Sequence, residues 1–396
     1  MKNIIITGGG MINKGAEAMT LIAVNELKNR FPNHNIILYS EMDRQRPQKE
    51  LDNYKFDIMG WHHIKFAKCQ SNPILRFLNL IRNKSEVLEV EKIYKNTDLL
   101  IDISGYALGS NWSEKICMDF LEPLYFAKQF NVPYYLMPQS FGPFDFDGQE
   151  GERVEKMISR VLPYAKKICV REQEAMDILV KKYNLNNIVL LPDIVLNNKS
   201  VDLNNIYRKI PKLELPHINS NSIGIIPNQR NFDVGDEKEI CELYRLIIEN
   251  TLRFGNTVYI LRHSTMDVQI CKTLKNMFVD NEKVILLEDE YSCVEFNELV
   301  KKFKYLVASR YHSIVHAYKN NIPCIAIGWA KKYFELAEKF NQSKFFFDIR
   351  KKIEVEQLLV SLADMEENYK KESREISLYL DEIQKNSVFD IINERF

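Results

Sequence analysis

Glycine and proline are scarce, at 14 and 13 of 396 residues, which excludes collagen-like and linker-like architectures. An excess of either charge is also missing: 54 Lys and Arg meet 54 Asp and Glu, for a formal net charge of zero. A protein built to coat nucleic acid carries a basic surplus, so no nucleic-acid partner is expected. No stretch approaches 18 uncharged apolar residues, which argues against a membrane-spanning helix. The opening MKNIIITGGG reaches its glycines too early to be a signal-peptide core. The seven cysteines (Cys69, Cys117, Cys169, Cys241, Cys271, Cys293, Cys324) are odd in number and show no CxxC spacing. A disulfide framework or zinc ribbon is disfavoured, and a cytoplasmic, reducing setting is the simplest expectation. There is no GK[ST] loop and no GxSxG elbow.

What remains is ordinary for a folded chain: 45% hydrophobic and 27% charged residues. At roughly 150 residues per domain, two domains are expected. Short apolar runs recur, each followed by loop residues and a helical pattern: Ile4–Thr7, Ile36–Tyr39, Leu99–Ile103, Tyr134–Met137, Lys167–Val170 and Ile188–Leu191. After residue 220 come Ser222–Ile226, Thr257–Leu261, Val284–Leu287, Tyr305–Ala308 and Cys324–Ile327. This rhythm predicts an α/β chain with two doubly wound, Rossmann-like domains, one over 1–200 and one over 222–350. The Asn-, Lys- and Pro-bearing stretch 201–221 reads as a linker, and 351–396 as charged amphipathic C-terminal helices. Residues 62–95 mix Leu, Ile and Phe with Lys65, Lys68, Arg76, Arg82 and Lys84. Such a stretch suits either a helical hairpin over the first sheet or a peripheral contact with an anionic membrane face.

Ligands of open parallel sheets bind beyond the carboxyl ends of the strands. Those positions are rich in Gly, Arg, Gln and His: Gly8–Gly10, Ser104-Gly105-Tyr106, Gln139, Arg171, Pro192-Asp193, Arg262-His263 and Ser309-Arg310-Tyr311-His312. The last group is the sharpest. Ser309 is the expected N-cap, which places Arg310, Tyr311, His312 and Ser313 in a first helical turn, where free N–H groups and the helix dipole favour an anion. Arg310 would bind phosphate or carboxylate, and His312 would exchange a proton. The competing reading is an arginine in a surface ion pair and a histidine satisfied by backbone. His312 and His316 stand four apart, but no HExxH Glu and no third ligand accompanies them, so no metal is expected. Arg171 opens a helix after a strand and would face the same cleft. The turn GGGMINKGAEAM breaks the dinucleotide fingerprint at Asn13, which sets aside a dinucleotide-dependent oxidoreductase, yet Asn13 and Glu17 remain candidates to line a pocket. Gly105, Tyr106, Gln139 and His263 join them at the cleft.

Taken in order, GGGMINKGAEAM, DLLIDISGYALGS, MPQSFGPF, ICVREQEA, LLPDIVL, SIGIIPN and VASRYHSIVHA with IPCIAIGW resemble the polysaccharide pyruvyl transferase family over residues 1 to about 335. The resemblance implies a GT-B-like fold with two Rossmann-like domains facing across a cleft. It also implies transfer of pyruvate from phosphoenolpyruvate to two hydroxyls of a sugar, forming a ketal on a bacterial surface polysaccharide or its lipid-linked precursor. The family's Arg-Leu-His motif matches Arg310 and His312, with Tyr311 in place of Leu, and its Arg-acidic pair matches Arg171. Where the family often has three glycines, this chain has Ser104-Gly105-Tyr106. Phosphoenolpyruvate would be a substrate held by Arg171, Arg310, His312 and Ser313, and no cofactor is required. The resemblance also implies an acceptor side for Asn13, Glu17, Gly105, Tyr106, Gln139 and His263. A homo-oligomer is allowed. The alternatives are a nucleotide-sugar glycosyltransferase of similar fold and a sugar-binding, non-enzymatic member of an assembly complex.

Overall fold

The computed structural model describes residues 1–60, 74, 78 and 84–396. The first sheet is parallel, with strands β1 (Asn3–Thr7), β2 (Asn35–Tyr39), β3 (Asp57–Met59), β4 (Thr97–Asp102), β5 (Tyr106–Leu108), β6 (Tyr134–Phe141), β7 (Lys167–Val170) and β8 (Ile188–Leu190). Their order is β3-β2-β1-β4-β6-β7-β8, with β5 paired beside β6. The second sheet holds β9 (Ser222–Ile226), β10 (Thr257–Leu261), β11 (Val284–Leu287), β12 (Leu306–Ala308), β13 (Cys324–Gly328) and β14 (Phe346–Asp348), in the order β11-β10-β9-β12-β13-β14, again parallel. These strands read as unbroken apolar runs because helices cover both faces of a doubly wound sheet. The strand order of each sheet reverses once, between β1 and β4 and between β9 and β12, which opens a crevice at the strand ends. Most of the basic stretch 62–95 lies outside the described residues. Among the described residues no helix is long and apolar enough to cross a membrane.

Three features depart from the sequence pattern. The short strands β3, β5 and β14 are additional to the apolar runs of the sequence. Ser309 is not the helix cap: it is fully buried, and its Oγ lies 2.5 Å from the Tyr244 hydroxyl. The extended residue Arg310 takes the cap position, and the helix runs Tyr311–Lys319. Finally, the C-terminal segment is shared between the sheets. The long helix Val355–Ile383 buries Leu358, Leu362 and Met365 in the core of the second sheet. Its later residues Ile376 and Leu380, with Val388, Phe389 and Ile392 beyond it, join the core that also holds β1 and the helix Lys14–Arg30. Arg30 to Asp390 (2.7 Å) and Tyr135 to Glu394 (3.0 Å) bond the tail to the N-terminal half.

Candidate active site

The two crevices face each other, and His312 stands at the seam. It occupies the first turn of Tyr311–Lys319, a helix that starts with no side-chain cap and whose Ser313 N–H donates to the Arg310 carbonyl (3.0 Å). The Ser313 hydroxyl donates to the Arg310 carbonyl (2.6 Å) within this turn, and Ser313 is fully buried. The His312 ring rests on Gly15 at the start of the helix Lys14–Arg30: a Cβ on Gly15 would lie 2.4 Å from the ring. It also lies near Gly105, whose backbone turns through φ +72°, a conformation that favours glycine. Both glycines make room for the imidazole.

Asp193 connects His312 to Arg171. Its Oδ2 is 3.7 Å from His312 Nε2 and pairs with Arg171, while Oδ1 caps the helix Ile194–Asn197 by accepting the Val195 N–H (2.8 Å). Arg171 is 3% exposed and donates further to the Gly105 carbonyl (2.7 Å) and Ser140 Oγ (2.6 Å). Its guanidinium lies 4.6 Å from the centroid of the Tyr311 ring, so the Tyr311 helix packs directly over it. Burial alone would raise the Asp193 carboxyl, but Arg171 and His312 outweigh it and hold it below the ordinary carboxylate range. Burial lowers His312 to about 4, with Asp193 pulling the other way. At neutral pH the imidazole is therefore uncharged, and it is a proton acceptor backed by a carboxylate.

Arg310 sits apart from Arg171. Its Nε and Nη2 form a double contact with Asp267 at 3.0 and 2.5 Å, and Asp267 also accepts the Gln229 and Ser264 N–H groups. A cleft of about 1010 Å³ is walled by Tyr106, Ser140 and Glu172 from the first sheet and by Trp329, Lys332 and Asp348 from the second; Ser140 and Glu172 join it to Arg171, whereas Arg310 and His312 do not line it. Among the described residues no group of three or more His, Cys, Asp and Glu is placed to hold a metal ion.

The sequence model of polysaccharide pyruvyl transferases matches residues 13–331. The chain belongs to that family. The match includes Arg171, Asp193, Arg310 and His312, and it makes this pyruvyl transferase family member a transferase. No curated relative matches it in sequence. Among solved structures, it is similar to the UDP-GlcNAc 2-epimerase of Methanocaldococcus jannaschii (14% identity, TM-score 0.57, covering 96% of this chain and 99% of that one). It is also similar to UDP-bound MnaA of S. aureus (11%, 0.56, 100% and 99%) and to UGT2 of Phytolacca americana (11%, 0.56, 99% and 97%). At such identities the likeness shows the fold alone, and that fold is GT-B.

The structure separates the residues expected on the acceptor side of this family member. Tyr106 lines the open cleft, and its hydroxyl donates to the Gly142 carbonyl (2.7 Å). Gly105 offers its carbonyl to Arg171. Asn13 caps its helix by accepting the Gly15 N–H (2.9 Å). Gln139 is buried under the turn and donates to Asp102 (3.1 Å). Glu17 is buried and accepts the Cys293 N–H (2.8 Å) from the second half of the chain. His263 is buried edge-on to Phe296 at 5.2 Å, and neither ring nitrogen has a hydrogen-bond partner among the described residues. Asp193, which links Arg171 to His312, escaped the sequence reading of roles, because it stands at a strand end before a helix, a position that signals a cap as readily as a site.

Proposed function

We propose that this family member transfers pyruvate from phosphoenolpyruvate to two hydroxyls of a sugar acceptor. The product is a cyclic ketal on a surface polysaccharide or its lipid-linked precursor, and the setting is cytoplasmic. The observation that carries this reading is the His312–Asp193–Arg171 group at the seam of the two halves, beside a cleft roomy enough for a sugar. Neutral His312 takes the proton of the attacking hydroxyl. The resulting imidazolium, 3.7 Å from Asp193, passes it to the methylene carbon as the hydroxyl oxygen bonds to C2. Phosphate departs from C2 and leaves an oxocarbenium centre. The second hydroxyl attacks that centre, its proton leaving with phosphate, and the ring closes. The positive end of the Tyr311 helix supplies positive potential where phosphate charge develops, and Arg171 and Arg310, each paired with an aspartate, flank it. The cleft holds both substrates in line, which lowers the entropic barrier.

The test is acceptor-dependent phosphate release from phosphoenolpyruvate across a panel of sugars, with His312→Ala as control. Loss of one proton-transferring group is expected to cost roughly 10²–10⁴-fold in turnover. Retention of wild-type turnover in His312→Ala would remove His312 from the chemistry. His312 is the cleaner choice because Arg310→Ala would strip buried Asp267 of its counter-ion and mix stability with rate. Thermal stabilisation by nucleotide sugars and not by phosphoenolpyruvate would overturn the donor assignment.

A further inference from the structure

A second opening shares no wall with the active cleft. It has two parts, which meet at Asn197, Asn386 and Ser387. One part, of about 420 Å³, runs between the helix Lys14–Arg30, the residues after the helix Ile194–Asn197 and the tail beyond the long C-terminal helix. The other, of about 440 Å³, lies between the residues that follow β8 and the last turns of that C-terminal helix. Each has the size of a small-molecule pocket, roughly 300–1,000 Å³.

The first part is walled by carboxamides. Asn25 is 4% exposed; its Oδ1 accepts the Asn205 Nδ2 (2.9 Å) and the Asp202 N–H (3.3 Å), and its Nδ2 has no acceptor among the described residues. Asn29 also accepts from Asn205 (3.0 Å), and its Nδ2 has no acceptor among them either. Asn198 Oδ1 is buried with no donor, and the exposed Asn386 side chain bonds to none of the described residues. The second part supplies a ring. Tyr379 is 40% exposed and packs on Phe340 with the centroids 6.4 Å apart. The charges of the opening are balanced. Glu26 pairs with Arg30, Glu382 pairs with Lys385, and Lys339 donates to the Arg171 carbonyl. Lys199 and Asp202 remain, one of each sign. A phosphate or nucleotide would call for a cationic surplus.

We infer that this opening binds a neutral oligosaccharide, with one sugar ring against Tyr379 and the hydroxyls of its neighbour on the carboxamides. A carboxamide offers a donor beside an acceptor, which matches the adjacent hydroxyls of a sugar. An aromatic face suits the apolar C–H face of the ring, and the tyrosine hydroxyl keeps a polar edge. The site goes beyond the proposed reaction and stands whether or not phosphoenolpyruvate is the donor. It holds a length of saccharide outside the cleft. The helix Ile194–Asn197 joins the two places: Asp193 at its start contacts His312, and Asn197, about one turn on, lines the opening.

The experiment is calorimetric titration of cellotetraose, maltotetraose, mannotetraose and chitotetraose, with tetragalacturonate as the charged comparison. The proteins are wild type, Tyr379→Leu, Tyr379→Phe, Asn386→Ala and Tyr106→Ala. Thermal unfolding checks that each variant folds, and Tyr379→Gln replaces the leucine variant if that one does not. At least one neutral tetrasaccharide is expected to bind wild type saturably. Its dissociation constant should rise about fivefold or more in Tyr379→Leu and in Asn386→Ala, and stay near wild type in Tyr379→Phe and Tyr106→Ala. Absence of binding by all four neutral probes overturns the inference, as does wild-type affinity in either Tyr379→Leu or Asn386→Ala. Loss of binding in Tyr106→Ala alone would place the saccharide in the active cleft and overturn it too. Tighter binding of tetragalacturonate than of every neutral probe would show a site for anions instead.

Discussion

At the scale of single residues, the site depends on small clearances. A methyl group on Gly15 would lie 2.4 Å from the His312 ring, closer than real contacts allow, so one of the two must move. The backbone of Gly15 is helical and raises no objection to alanine, which is favoured over glycine in helices by about 1 kcal/mol. Gly15→Ala is therefore expected to keep its fold yet lose roughly 100-fold in turnover, because an ångström of misplacement is costly in catalysis. Circular dichroism alongside turnover checks this, and wild-type turnover would mean that the ring has room to shift. At this scale the strand-end positions of Arg171, Arg310 and His312 could be read from the sequence, but the aspartates that pair with both arginines could not. The link through Asp193 was not legible. Asp193 meets Arg171 and His312 from distant parts of the chain, and nothing local distinguishes it from an ordinary helix cap.

At the scale of elements, helix ends do much of the positioning. The helix Lys14–Arg30 presents Glu17 to the N–H of Cys293, at the start of the helix Cys293–Val300. That bond joins the two halves of the chain, so Glu17 acts as a clasp more than as part of an open acceptor surface. Burial raises its carboxyl to about 7, so a neutral amide is a fair substitute. Glu17→Gln is expected to stay within about 1 kcal/mol of wild type in urea denaturation, whereas Glu17→Ala leaves the Cys293 N–H unpaired at a cost of about 1–3 kcal/mol. Equal stability of the two variants would show that the bond is immaterial. The long strands were legible because double-sided burial demands continuous apolar runs. The start of the Tyr311 helix was misplaced by one residue. Serine is a favoured cap, but here Ser309 is drawn into the core by Tyr244.

At the scale of the whole molecule, three buried histidines govern the acid response. Burial lowers His312 to about 4 and His316 to about 3, and it drives His263 well below its usual value, with Lys14 and His316 adding to the effect. In the unfolded chain they titrate near the ordinary value of about 6.5. Below that pH the unfolded chain binds protons that the folded state refuses, so stability is full above about 6.5 and declines as pH falls toward 4. Glu17 acts in the opposite sense. Its raised carboxyl contributes stability that is present in acid and lost as pH rises through about 7, and the carboxyls of Asp102 and Glu335, also raised by burial, act in the same sense. The histidine contribution is therefore read as a difference between variants. The change in thermal midpoint between pH 7 and pH 5 is expected to be less destabilising on acidification in His263→Phe, which places an apolar ring beside Phe296. An identical pH dependence in that variant would exclude His263 from the effect.

Two sheets and their parallel strands were determined by the sequence itself, because apolar periodicity records how each element is buried along its own length. The meeting of Arg171 with His312 through Asp193, the seat of His312 on Gly15 and the C-terminal helix shared between two cores were decided only by the tertiary structure. Each joins residues far apart in the chain, and their contact depends on how one sheet faces the other. That orientation is a sum of many interface contacts with no period of its own, so no local pattern announces it.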